Sequence, residues 1–140
     1  MKTSFAVRIE SVGDEYIVTC RDLPAVVTSG SSEAEALEMA EDGIDVVVSS
    51  LIDDGLQVPE PSPQRKGEHL VNLPAQTAAK LAVWRAFLAA GISKSELARR
   101  LGVGENEARR ILSTRHRTKL DKLEAAVRAL GGRIVIDLAA

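Results

Sequence analysis

The chain has 140 residues, 45% of them hydrophobic, and a net charge of −2, which suits one ordinary domain or two small ones. No apolar run approaches the roughly 20 residues of a membrane span, and no basic flank leads into an apolar core near the N-terminus. A single cysteine, Cys20, excludes an internal disulfide and a thiolate zinc site, so the expectation is a cytoplasmic protein with no membrane role, no metal and no cofactor.

Residues 4–10, SFAVRIE, and 15–22, EYIVTCRD, both alternate apolar with polar positions. Phe5, Val7 and Ile9 share one face of the first run, and Tyr16, Val18 and Cys20 share one face of the second. Gly13 and Asp14 supply the turn of a hairpin. Cys20 thereby becomes a small buried hydrophobe rather than a reactive thiol. AVVTSG, residues 25–30, gives a shorter third strand ended by Gly30.

A helix follows. Ser32 and Glu35 have the spacing of a capping box, and Leu37, Ala40, Ile44, Val47 and Leu51 recur as one apolar stripe. Glu38, Glu41, Asp42 and Asp45 fall outside the stripe, and Gly55 is placed to end the helix. The run VPEPSPQRKGE, residues 58–68, holds three of the five prolines and reads as an extended connection. HLVNLP, residues 69–74, is a short strand able to return to the sheet. Residues 1–74 are therefore expected as β-β-β-α-β, three or four strands with one helix over a face.

Residues 75–140 read as helical almost throughout. AQTAAKLAVWRAFLAAG ends at Gly91. SKSELARRL starts with Ser93 as cap and Glu96 at the box position. GENEARRILS and KLDKLEAAVRAL make two more helices. Ala98 sits where two helices must approach closely, Gly102 lies in the turn, and Ile111 faces inward. This is the spacing of a helix-turn-helix unit, whose second helix enters the DNA major groove with its N-terminal residues foremost. Glu105, Asn106 and Arg109 would project there. Arginine can take guanine O6 and N7, asparagine can do the same for adenine, and glutamate can accept from cytosine N4. Ser93, Lys94, Arg115, Arg117 and Lys119 surround that helix and suit backbone phosphates, and Arg110 is a further DNA-binding candidate. His116 would support this loop, and His69 has no ligand partner in sequence reach.

The last residues, GGRIVIDLAA, switch after two glycines to the alternating pattern of a strand. No other strand is expected in this half, so Ile134, Ile136 and Leu138 would be an exposed pairing face. The same strand of a second chain across a two-fold axis would cover it, giving a homodimer or a higher even-numbered oligomer. Such a dimer would set two recognition helices about one DNA turn, roughly 34 Å, apart. Overall the fold class is α+β. Its halves differ sharply in charge. Residues 1–74 hold five Lys/Arg against fourteen Asp/Glu, and residues 75–140 hold thirteen against six. That asymmetry implies two surfaces with opposite partners, or two solvated faces attracting each other within one fold.

Over most of its length the chain resembles the HicB family, antitoxins of HicA-HicB toxin-antitoxin pairs. The resemblance is carried by Tyr16 leading a strand, Asp22-Leu23-Pro24, Thr28 and Gly30, and then Glu35-Ala36-Leu37 opening a helix. Ala25 stands where the family usually has glycine, and Ser31 where an acid or polar residue is common. The proline-containing connection and the helix-turn-helix resemble the subclass that carries this domain in place of a ribbon-helix-helix. The resemblance implies that the N-terminal half has a partial ribonuclease-H-like fold that masks a HicA-type mRNA-cleaving toxin. It also implies that the C-terminal half represses its own operon by binding operator DNA. Asp22, Glu38, Glu41, Asp42 and Asp45 are then candidates for contact with the toxin. The chain is not expected to be an enzyme. A two-metal nuclease site needs several converging carboxylates, and the strands offer only Glu10 and Asp22 near their ends. A stand-alone transcriptional regulator whose N-terminal half senses a small ligand is the alternative.

Overall fold

A computed structural model of the chain describes residues 1–139. It divides into two compact units, one made of residues 1–51 and 57–74, the other of residues 52–56 and those from 75 onward. The elements run β1 (Ser4–Val12), β2 (Glu15–Cys20), β3 (Val27–Gly30), α1 (Glu33–Asp53), β4 (His69–Asn72), α2 (Ala75–Ala90), α3 (Lys94–Leu101), α4 (Glu105–Leu112) and α5 (Leu120–Ala129).

In the first unit the four strands form one antiparallel sheet in the order β3-β2-β1-β4. The register pairs Val7 with Cys20, Ile9 with Val18 and Phe5 with Val71, so the alternation read from the sequence collects these side chains on one face. Phe5, Val7, Val18, Cys20 and Val71 are buried there, and Ala36, Ala40, Ile44 and Val48 of α1 are fully buried. The buried row of the helix is thus strictly every fourth residue. Ala40 and Ile44 of the expected stripe lie in it, whereas Leu37, Val47 and Leu51 are only half-buried and their neighbours Ala36, Val48 and Ile52 are buried instead. Alanine at position 36 suits the buried row, because a small side chain permits close approach. At Gly30 an added Cβ would lie 2.5 Å from the Ala36 amide nitrogen. A glycine is required there by that approach.

The start of α1 departs in one detail from the expected cap. The Glu35 amide donates to Ser32 Oγ at 3.1 Å, but the Glu35 carboxylate accepts from the amide and hydroxyl of Ser31 instead of closing on Ser32. The segment between α1 and β4 also differs from a free extended connection. Asp22, in the turn after β2, accepts from the Ser62 amide at 2.8 Å and the Ser62 hydroxyl at 2.5 Å. Arg21 forks onto Glu68 at 2.9 and 3.0 Å, and the Arg65 amide donates to the same carboxylate at 2.7 Å. Leu23 and Val26 are buried beside this strap, closing a turn in which the Val26 amide donates to the Leu23 carbonyl.

In the second unit, helices α2 to α5 bury Leu81, Val83, Trp84, Phe87, Leu97, Ala98, Ala108, Ile111, Leu112, Leu123, Ala126 and Val127. Ser93 caps α3 through its hydroxyl, which accepts from the Glu96 amide at 3.0 Å. Gly102 ends α3 with φ of +67°, the left-handed conformation that lets the chain reverse within three residues before α4. The last turn of α1 and the residues after it, 52–56, belong to this unit, so the division does not fall solely at residue 74. The expected C-terminal strand is not formed. Residues 132–139 are neither helix nor strand, because a strand needs a ladder partner and they meet none among the described residues.

The strap makes a pH prediction. The Arg21 guanidinium, followed by the Arg65 amide, holds the Glu68 carboxyl at about 2, well below the ordinary 4.5. Burial raises the Asp22 carboxyl, but the two Ser62 bonds and Arg21 outweigh it, so it too is lowered. A depressed carboxylate contributes stability above its unfolded pKa and loses it as pH falls through the folded value. The first unit should therefore lose stability from about pH 4.5 down toward 2. Urea unfolding followed by circular dichroism at pH 7 and pH 3 measures this, and Glu68→Gln should flatten the difference.

Candidate nucleic-acid interface

The helix pair α3–α4 owes its geometry to two short amphipathic sequences. In α4 the inward residues Ala108, Ile111 and Leu112 are buried, while Glu105, Asn106, Arg109 and Arg110 are exposed. The expected base-reading residues therefore share an open face of one helix. Two of them are joined, since Arg109 donates to Glu105 at 2.9 Å across one turn. That bond, followed by the nearby Arg109 charge, lowers the Glu105 carboxyl below its ordinary value. Glu105 and Arg109 thus present a paired donor–acceptor edge beside the unencumbered Asn106 amide. Ser93 is occupied as a cap, so its hydroxyl is half committed before any ligand arrives.

Beyond α4 the chain forms a six-residue loop, 113–118, fixed at both ends. At its start Asp53 accepts from the Thr114 amide at 2.8 Å, from the Thr114 hydroxyl and, at 3.4 Å, from Ser113 Oγ. At its end the Thr118 amide donates to Gln76 Oε1 at 2.8 Å, and Gln76 Nε2 donates back to the Thr118 carbonyl at 3.1 Å. Between these points Arg115, His116 and Arg117 are exposed, with Lys119 just after. A cleft of about 360 Å³ is lined by Arg110, His116, Arg117, Lys119 and Lys122 together with Glu107 and Thr118. Four of the expected DNA-binding cations, Arg110, Arg115, Arg117 and Lys119, are thus gathered on or beside one braced loop.

Lys80 of α2 holds this arrangement from inside. It is 1% exposed, and its ammonium donates to the Arg110 carbonyl at 2.8 Å, the Ile111 carbonyl at 2.9 Å and the Thr118 hydroxyl at 2.6 Å. Three donors meet three acceptors. Two of those acceptors are end carbonyls of α4 that no helical N–H reaches, and a cation there also suits the helix dipole. Burial pushes the Lys80 ammonium down to about 8, against the opposing pull of the Asp53 and Glu107 carboxylates. It remains charged at neutral pH.

Asp53, Gln76, Lys80 and Thr118 were absent from the residues singled out in the sequence. Lys80 had left a signal, since it lies three residues after Thr77 and four before Trp84, on the buried side of α2. Of the acidic candidates in the first unit, Glu38, Glu41 and Asp42 are exposed on α1 and Asp45 is half-buried. Asp22 stands apart from them, with both carboxylate oxygens committed to Ser62. Cys20 is buried, and burial raises its thiol above the ordinary value. Among the described residues no group of three His, Cys, Asp or Glu could hold a metal ion, and no helix is long and apolar enough to cross a membrane.

Residues 4–82 match the family described as HicB_like antitoxin of bacterial toxin-antitoxin system. The chain is 35% identical over 116 residues to Antitoxin HicB of Escherichia coli, covering 83% of this chain and 84% of that one. It is 31% identical over 137 residues to Antitoxin HicB of Pseudomonas fluorescens, covering 97% and 94%. It is 36% identical over 127 residues to Antitoxin HicB 2 of Photorhabdus laumondii, covering 91% and 90%.

Replacing Lys80 by methionine keeps its length but orphans the Arg110 and Ile111 carbonyls. Each buried acceptor left unpaired costs about 1–3 kcal/mol. Chemical denaturation of Lys80→Met should show the second unit destabilised by at least about 2 kcal/mol. An unchanged midpoint would mean that water replaces the ammonium at no cost.

Proposed function

The chain belongs to the HicB-like antitoxin family of bacterial toxin-antitoxin systems, and from that premise we propose that it works through two separate surfaces. The first unit covers a HicA-type mRNA-cleaving toxin through the outer face of α1. The second unit acts as a helix-turn-helix domain that binds the operator of its own operon. The chain itself is a non-enzymatic regulator.

The observation that carries this proposal is the segregation of charge. The first unit holds five Lys/Arg against twelve Asp/Glu, and the second thirteen against eight. A toxin that grips RNA must present a cationic surface to a polyanion, and Glu38, Glu41 and Asp42 on α1 complement such a surface. Complementary charge speeds encounter and rejects wrong partners. Operator binding is supported by the exposure of Glu105, Asn106 and Arg109 on the helix that follows the Gly102 turn. It is also supported by the braced basic loop behind that helix. Phosphate contacts fix register and base contacts give sequence preference.

Dimerisation through the C-terminal tail completes the proposal. Of the expected face, Ile136 and Leu138 are 75 and 91% exposed and Ile134 is half-buried, and antiparallel pairing with a second tail would supply the ladder partner this segment lacks. Two chains joined there would present two recognition helices to a palindromic site.

The two surfaces should fail independently. Reversing Glu38, Glu41 and Asp42 to lysine should abolish rescue of cells from the co-expressed toxin while operator affinity stays intact. Arg109→Ala should do the opposite, costing roughly 1–3 kcal/mol on operator DNA and little on random duplex. Equal losses on both duplexes would assign Arg109 to phosphate alone. Loss of both functions in either variant would contradict the division of labour.

For the tail, truncation after Gly132 should yield monomers by light scattering, with operator affinity lost and toxin neutralisation retained. An unchanged mass would place the dimer contact elsewhere.

A further inference from the structure

Asp53 is oddly chosen for its position. It is the last residue of α1, where a carboxylate opposes the helix dipole, and no basic residue occupies that turn. Its side chain is 12% exposed, so its charge is also largely withdrawn from water. What offsets these costs is the loop after α4. Asp53 accepts from the Thr114 amide and hydroxyl and from Ser113 Oγ, and Arg115 Nε lies 3.9 Å from it. The Trp84 indole N–H donates to the Leu56 carbonyl at 2.8 Å, tying down the turn just beyond it.

Around this clasp the second unit has a cleft of about 130 Å³. It is lined by Lys94, Arg109 and Arg115 together with Asp53, Ser113 and Trp84. Three cations from three different segments converge there: the start of α3, the exposed side of α4, and the loop. Asp53, the carboxylate in the cleft wall, is hydrogen-bonded to the loop itself, and Arg109 is paired with Glu105 at 2.9 Å. Arg115 is 81% exposed, so its guanidinium is at hand for a ligand while its backbone is fixed through Thr114.

We propose that this cleft seats one backbone phosphate of the bound duplex, held by Lys94 and Arg115, and that Asp53 is the positioning residue that sets the loop for it. The inference rests on the operator-binding role of the second unit and adds to it a location for one phosphate and a positioning residue outside the recognition helix. Asp53 never touches DNA. It acts by holding Thr114, and hence Arg115, in register with Lys94. Arg109 lines the same cleft, so the base-reading helix and the phosphate seat are set from a common point.

The sign of the effect separates positioning from simple charge. Removing a carboxylate near a DNA surface ordinarily strengthens binding, because a repulsion is lost. Positioning requires the reverse. The full-length chain is titrated with an operator fragment and with random duplex across a salt series, as wild type, Asp53→Ala, Asp53→Asn, Arg115→Ala and the Asp53→Ala/Arg115→Ala pair. Asp53→Ala should weaken both duplexes by several-fold to ten-fold and flatten the salt slope by about one unit, the signature of one lost phosphate contact. Arg115→Ala should add little in that background, as expected for groups acting together. Asp53→Asn keeps an acceptor for the Thr114 amide while losing the charge, and should bind at least as well as wild type. Amide exchange of the DNA-free protein supplies an independent arm, with Thr114 losing protection in Asp53→Ala but not in Asp53→Asn. Thr114→Val, which removes only the hydroxyl bond, should give a smaller change in the same direction should Asp53→Ala fold poorly.

Unchanged or tighter binding by Asp53→Ala, alongside a deprotected Thr114, would overturn the positioning role and leave operator binding standing. A wild-type chain with no preference or affinity for the operator fragment would overturn the operator-binding role itself, and the phosphate seat with it.

Discussion

The second unit depends on one buried ammonium. Lys80 joins the end of α4 to the end of the loop that follows it, placing one cation among two helix-end carbonyls and a hydroxyl. A cation of this kind is costly to bury and is tolerated only when every donor is used, a condition Lys80 meets. Because the acceptors belong to segments 110–111 and 118, the bond pattern fixes the loop's far end relative to the exposed helix. Gln76, one turn earlier on α2, repeats the fixation at Thr118 with two further bonds. Asp53 provides the same service at the near end. The basic residues in between are therefore held on a braced segment, and a braced segment loses less entropy when it meets a polyanion.

The first unit uses polar bonds differently. Its buried carboxylate pairings, Asp22 with Ser62 and Glu68 with Arg21, tie a proline-containing strap back onto the sheet. Glu38, Glu41 and Asp42 of α1 stay exposed and outside these pairings. The family's Asp-Leu-Pro stretch, here Asp22-Leu23-Pro24, thereby acquires a structural role. The aspartate anchors the strap, and the leucine is buried in the core.

Much of this was legible in the sequence, for identifiable reasons. The hairpin, the short third strand, the returning strand His69–Asn72 and all five helices follow from periodicity and from strong stops such as Gly55, Gly91 and Gly102. The exposed side of α4 followed from the spacing of Glu105, Asn106 and Arg109, and its inward side from Ile111. The buried row of α1 was read correctly at Ala40 and Ile44 and one position off at the other three, because apolar residues occupy two adjacent rows and only packing chooses between them. The strap, the Lys80 cap and the Asp53 clasp were missed because each joins residues about 30 to 61 positions apart. Local spacing carries no record of such partners. Ile134, Ile136 and Leu138 show the opposite limit, since a strand pattern specifies a side-chain face but not the neighbour that turns it into a strand.

We propose that DNA meets the chain along the exposed side of α4 and the basic loop behind it. Amide chemical-shift mapping of the isotopically labelled full-length protein against a duplex from its own promoter tests this most directly. The largest shifts should fall at Ser93 and Lys94, across Glu105–Arg110 and through the loop to Lys119, with the strands and the acidic side of α1 unmoved. Shifts concentrated in the first unit, or spread evenly over both, would contradict it.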